Sequence, residues 1–221
     1  MWKANSYLPA GVSVYPRYDT QVISGSVTEV SFFPSSPGSR KDADTNYIAN
    51  PFPGNKNIVL LGIALQPLLT VIKDDSANNI DAVSVVNTLF DSVIRLNANG
   101  GREQKILDPT MNYMNFANTG NSIAMMANTA PAYVSLSQLV IQSTGPRQLQ
   151  NQFFFNKQES FEFKMEFPGQ AGVTFPATAD WGNSAQNGRG EFGVKAIFYC
   201  ADMTNGQVEA YNSKLQAASL S

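Results

Sequence analysis

Residues 160 to 169 read SFEFKMEFPG. Phe161, Phe163, Met165 and Phe167 fall on one parity, and Ser160, Glu162, Lys164 and Glu166 fall on the other. Side chains on a strand change face at every residue, so this spacing predicts a strand with one buried face and one wet face. A helix would scatter the same phenylalanines around its circumference. The stretch EFGVKAIFYCAD repeats the pattern, with Phe192, Val194, Ala196, Phe198 and Cys200 on one face. Strands with such aromatic faces need a second layer to cover them, and a second sheet is the simplest cover.

The rest of the chain supplies more short strands between turns. TQVISGSVTEVSFFP divides near Gly25 into two strands, the second ending at Pro34. Residues 34 to 56 hold four prolines and two glycines and are expected to form a long loop, of the kind that is usually functional or interface-forming. NIVLLGIALQPLLTVIK predicts one long buried strand, or two bent at Gln66-Pro67. Residues 82 to 90 carry a helical period, with Asp81 as its cap, and a hairpin around NANGG follows. Met111, Met114, Met125 and Met126 cluster within residues 108 to 131, either as adaptable core filling or as a contact surface. Further strands are expected at 132 to 141, then a hairpin joining Phe153–Phe155 to Phe161–Phe167 through the turn NKQE. A loop from 168 to 190 precedes the last strand, and Val208, Tyr211 and Leu215 share one side of a short terminal helix.

The organisation expected is an N-terminal arm over 1–19, an all-β sandwich over 20–203 and a C-terminal helix and tail over 204–221. A split near 110–131 would divide the sandwich into two compact units. At 221 residues either arrangement is affordable.

Composition narrows the chemistry. The chain has no His, which excludes Ser-His-Asp and Cys-His catalysis and imidazole zinc sites. Its one Cys, Cys200, allows no intrachain disulfide, and its place in an apolar strand predicts an inert buried thiol. Lys plus Arg is 15 and Asp plus Glu is 17, with no basic arm, so no nucleic-acid footprint shows. Charged residues are 14%, and Asn, Gln, Ser and Thr take their place on the surface, a balance that suits packing against copies of the same chain and also many secreted β-proteins. The opening MWKANSYLPAGVSVYP has one Lys and no apolar run behind it, so synthesis and folding in a cytoplasm are expected. The glycines between 182 and 193 precede a strand and read as an ordinary loop, not a phosphate cradle. Glu162 and Glu166 read as a solubilising outer face and not as a glycosidase pair. KDADTN, residues 41 to 46, has carboxylates at Asp42 and Asp44 but lacks the rest of a calcium loop. Tyr47, Phe52, Phe175 and Trp181 stand in loops, where they suit a sugar ring or a partner protein. The expectation is no catalytic, cofactor or metal site, and no enzyme.

The strand ending SFFP, the long loop, the long buried strand, the FFFNKQESFEFKMEF segment and the final FGVKAIFY strand together resemble an eight-stranded jelly roll. More narrowly, the order is similar to capsid proteins of tailless icosahedral bacteriophages, some of which enclose a membrane vesicle. The resemblance covers residues 20 to 201 and is architectural, without a diagnostic motif. It implies a single jelly roll, with a compact tandem pair as the alternative. It also implies a shell-forming subunit located in the virion. Its partners would be further copies of itself, in trimers or pseudo-hexameric capsomers, other capsid proteins and an internal membrane, with no small-molecule substrate. Residues 1–16, 34–56 and 168–190 would make the lateral contacts. The competing reading is a carbohydrate-binding or adhesin-type β-sandwich that uses exposed aromatics such as Trp181.

Overall fold

A computed structural model describes residues 7–39, 41–68, 71–73, 88–89, 91–98, 105–110, 133–135, 147–175 and 191–219. It is all-β, with twelve strands and a C-terminal helix among these residues. The strands are β1 (Val14–Val22), β2 (Gly25–Val27), β3 (Glu29–Phe32), β4 (Asn57–Pro67), β5 (Val71–Lys73) and β6 (Val93–Ala98). They continue with β7 (Lys105–Pro109), β8 (Tyr133–Ser135), β9 (Arg147–Phe155), β10 (Phe161–Glu166), β11 (Val173–Phe175) and β12 (Gly193–Met203). Helix α1 spans Asn205–Ser219.

Two four-stranded antiparallel sheets carry the core, one in the order β1-β12-β4-β9 and the other in the order β3-β10-β6-β7. The pairs β2-β11 and β5-β8 form two further two-stranded sheets. The pairing is nested. β1 pairs with β12, β2 with β11, β3 with β10, β4 with β9, β5 with β8 and β6 with β7. Two lateral pairings, β12 with β4 and β10 with β6, complete the large sheets.

The inner faces of both large sheets meet in one apolar cluster. β4 gives it Ile58, Leu60, Ile63 and Leu65, and β12 gives Val194, Ala196, Phe198 and Cys200. From the opposite sheet come Val30, Phe32, Ile94, Leu96, Phe161, Phe163 and Met165. The alternation of β10 is as its sequence predicts, with Phe161, Phe163 and Met165 buried and Glu162, Lys164 and Glu166 half-buried. The rings touch edge to face or tilted: Phe163 and Phe198 are 4.9 Å apart between centroids and Phe155 and Phe161 are 4.6 Å apart. Such pairs add roughly 0.5–1.5 kcal/mol each beyond their buried area.

Several expectations change. The predicted hairpin across NKQE does not form, because β9 and β10 lie in different sheets. The turn carries the chain from one layer to the other. Glu159 N–H donates to Asn156 C=O at 3.1 Å, Glu159 Oε2 accepts from Asn156 N–H at 2.7 Å, and Gln158 takes a positive φ of 56°. Both strands aim their phenylalanines into the same inter-sheet space, so the alternation alone reads the same either way. The arm assigned to 1–19 is also shorter than expected, since β1 begins at Val14 and is an edge strand of a large sheet. The loop assigned to 168–190 contains β11.

Other expectations match. The chain divides at Gly25, which has a φ of 66°. Of the two readings of NIVLLGIALQPLLTVIK the second holds, since β4 ends at Pro67 and β5 follows in another sheet, and β6 and β7 pair as the hairpin predicted around NANGG. Of the predicted helix at 82–90 only Thr88 and Leu89 are described, and both are helical. The Met cluster of 108–131 lies outside the described residues apart from 108–110, as do most of 132–141 and Trp181. Among the described residues no helix is long and apolar enough to cross a membrane.

Candidate interaction surfaces

The long loop is built into the fold at both its ends and its middle. At its start Phe33, the residue after β3, adopts a φ of 53°, which turns its ring back into the core. Its N–H donates to the buried carboxylate of Asp19 at 2.7 Å. Gln21 Nε2 donates to the same oxygen at 2.7 Å. The Phe33 ring then lies against Tyr47, Phe52, Phe161, Phe163 and Phe198.

Two asparagines hold the loop to strand backbone. Asn46 Oδ1 accepts from Tyr18 N–H at 2.6 Å while its Nδ2 donates to Pro16 C=O at 2.8 Å. That amide occupies the edge of β1 as a neighbouring strand would, and Thr45 adds a bridge to Asp19. Edge strands covered in this way are shielded from uncontrolled pairing. Asn50 Nδ2 donates to Phe33 C=O at 2.8 Å and Phe161 C=O at 2.7 Å, and its Oδ1 accepts from Phe161 N–H at 3.2 Å. Tyr47 Oη donates to Pro34 C=O at 2.9 Å. Between these fixed points Ile48 is 74% exposed, one of two large apolar side chains left exposed among the described residues.

The aromatics expected at the surface are therefore inside. Tyr47, Phe52 and Phe175 are buried: the first two pack against Phe33, and Phe175, in β11, packs against Phe167 and Phe192. KDADTN forms a turn, with Asp44 and Thr45 N–H both donating to Lys41 C=O. Lys195 Nζ donates to Ala43 C=O at 2.6 Å and sits 4.6 Å from the Tyr18 ring, so an ammonium already occupies this loop. Among the described residues no three acidic or Cys side chains gather as metal ligands.

Phe52 also covers Arg17, whose guanidinium lies 4.3 Å from the Phe52 ring centroid. Arg17 Nη2 donates to Tyr15 Oη at 2.8 Å and pairs with Asp202 at 3.3 Å. Burial, and then the hydrogen bond with Asp202, push the Tyr15 phenol well above its ordinary value. Cys200 is fully buried, and burial pushes its thiol up to about 12, so it is inert as expected.

The two outer faces differ. Across β3, β10 and β6 the outer face is ionic. Lys164 Nζ meets Glu29 at 3.0 Å and Glu162 at 2.7 Å, and Arg95 Nε meets Glu166 at 2.8 Å. Glu162 and Glu166 thus serve as members of a paired surface, with Lys164 between them. The outer face of β4 and β12 is apolar instead. Val59, Leu61, Ala201 and Met203 are buried there beneath Tyr211 of α1, with Tyr7, Leu8, Val12, Val208 and Leu215 packed around them. Tyr211, Val208 and Leu215 form the helix stripe that the sequence predicts.

Sequence reasoning missed Asn46, Asn50 and Arg17. No periodic signal marks them, since each acts across more than 25 residues or from a loop. In comparisons with known proteins, no family model matches the chain and no curated protein matches it.

Proposed function

We propose that this chain is the shell-forming subunit of an icosahedral virus, a single jelly roll of the kind found in tailless bacteriophages, that assembles with copies of itself. The nested strand order carries the reading. A jelly roll is one long antiparallel ribbon rolled into two facing sheets, which requires the first strand to pair with the last and each following pair to close inward. The order of the two large sheets, β1-β12-β4-β9 and β3-β10-β6-β7, is the one such rolling produces. The nesting runs through β5 with β8, on either side of the supposed division at 110–131, which favours one roll over two.

Jelly rolls also host lectins and other binding modules. Of the aromatics that the carbohydrate reading could use, Tyr47, Phe52 and Phe175 are buried and present no platform to a sugar ring, while Trp181 lies outside the described residues. The surface suits self-association better. It is poor in charge, its loop at 34–56 is tied to strand backbone through Asn46 and Asn50, and that loop presents Ile48 outward. An apolar side chain on an anchored loop loses less entropy on docking than one on a free loop. The location that follows is the virion, with other shell proteins and an enclosed membrane as further contacts.

Light scattering of the purified chain across a range of concentrations tests the proposal. Discrete trimers or hexamers, or larger shells at high concentration, are expected, and Ile48→Asp is expected to weaken them while leaving the strand signal in circular dichroism intact. A strict monomer at every concentration, combined with saturable glycan binding, would replace this reading with the carbohydrate one.

A further inference from the structure

Strand β3 is an edge of its sheet, and its outer side is open. Phe167 N–H donates to Thr28 C=O at 2.9 Å, which sets the alternation of the ladder between β3 and β10. Val30 and Phe32 therefore turn their backbone groups toward β10, and Glu29 and Ser31 turn theirs away from it. Glu29 and Ser31 are exposed, and their outward N–H and C=O groups meet no partner among the described residues. Two other edges are blunted. Asn46 covers β1, and β7 ends at Pro109, which has no N–H. The open stretch of β3 is short, because Phe33 N–H is held by Asp19 and Pro34 has none to give.

The outer face behind this edge is laid out in two rows of opposite sign. Arg95, Lys164 and Ser31 stand side by side across β6, β10 and β3. The neighbouring row is Val93, Glu166 and Glu29. The positive row thus reaches the edge at neutral Ser31, and the negative row reaches it at Glu29. A charge on an edge strand repels most strands that approach it. This arrangement leaves one approach favoured.

We propose that β3 pairs antiparallel with β3 of a second copy about a two-fold axis at Val30, with Ser31 opposite Glu29 of that copy. This rests on the self-assembly reading above. Backbone hydrogen bonding selects the register. With the axis at Val30, Glu29 and Ser31 exchange both of their bonds with Ser31 and Glu29 of the second copy, so every open group of the edge is used. An axis at Ser31 would call on Phe33, whose N–H Asp19 already holds, and an axis at Glu29 would call on Val27, which is paired with Val173. Charge selects the same register independently. The axis at Val30 sets Arg95, Lys164 and Ser31 in line with Glu29 and Glu166 of the second copy. The Lys164 ammonium, 3.0 Å from its own Glu29, then gains a second carboxylate. An axis at Ser31 would set positive row against positive row, and one at Glu29 negative against negative. The contact is isologous, and it joins two four-stranded sheets into one that runs through both subunits.

The test mixes full chains carrying Glu29→Cys with full chains carrying Ser31→Cys under mild oxidation. Hydrogen-bonded pairs of a ladder lie about 5.5 Å apart between Cα atoms, within disulfide range. Cys200 is too buried to compete. The mixture is expected to give disulfide-linked pairs. Either variant alone is expected to give few, because its two cysteines lie on opposite sides of the axis and out of reach. Linkage of either variant alone as readily as the mixture would overturn the register, and the proposal with it. No linkage in the mixture, while the parent chain still associates in light scattering, would overturn the edge pairing and leave the shell reading standing. A parent chain that never associates would remove both. Charge gives a second comparison without cysteines. Ser31→Glu sets like charges opposite each other and is expected to weaken association about tenfold at low salt, whereas Ser31→Lys is expected to strengthen it, with both effects shrinking at high salt. Equal association of these two variants would overturn the pairing.

Discussion

Asn50 shows how one side chain fixes a long loop. Its amide satisfies three backbone groups, Phe33 C=O and both the N–H and the C=O of Phe161, that no strand reaches. Asn50→Ala would leave those groups partly buried and unpaired, so a loss of about 1–3 kcal/mol is expected. Urea unfolding checks it, as a lower midpoint with an unchanged slope. A variant as stable as the parent would mean that water replaces the amide at no cost. At this scale the sequence is legible where burial is periodic. The faces of Phe161 to Phe167 can be read by parity alone. Phe33 cannot, because it turns inward by its backbone and breaks the alternation of β3. Asn46 and Asn50 leave no local trace, since their partners lie far away along the chain.

The ionic face of β3, β10 and β6 behaves as an element. The hydrogen bond from Lys164, and after it the one from Asn97, hold the Glu162 carboxyl below its ordinary value. Hydrogen bonds to Glu162 and then Glu29 hold the Lys164 ammonium above its own. The unfolded chain then binds a proton at Glu162 at higher pH than the folded chain does. Stability from this group is complete above the ordinary carboxylate value of 4.5 and is lost as pH falls through the lowered one. That from Lys164 is complete below 10.5 and is lost as pH rises through the raised value. The face is half open to water, so the Glu162 contribution is about 0.5 kcal/mol or less. Urea midpoints measured from pH 7 down to about pH 3 should fall less steeply in Glu162→Gln than in the parent. Identical slopes would mean that the pair carries no folding energy. At this scale the NKQE turn, the start of β1 and the presence of β11 all differ from the sequence reading, the turn most instructively. Alternation shows that a strand has a dry face, and it does not show which neighbour supplies its hydrogen bonds. The NKQE turn therefore read as a hairpin, although its two strands meet only through their rings.

For the whole molecule, nesting predicts cooperativity. Apart from the β6-β7 hairpin, the pairs of the large sheets join strands that are distant in sequence, and both sheets share one core, so denaturant should unfold the chain in a single transition. Coincident fluorescence and circular dichroism curves would bear this out, whereas two separated transitions would restore the division near 110–131. The all-β class and most strand positions were legible from turn spacing and β-branched runs. The pairing order was not, because it depends on which strands share a layer. The same nesting has a consequence during synthesis. Val14 in the first strand lies opposite Ala201 in the last. A chain emerging from the ribosome offers β1 no strand partner until β12 has been made, and the face β1 shares with it must wait uncovered meanwhile. A cell that slows its ribosomes therefore lengthens the time in which unfinished copies can aggregate.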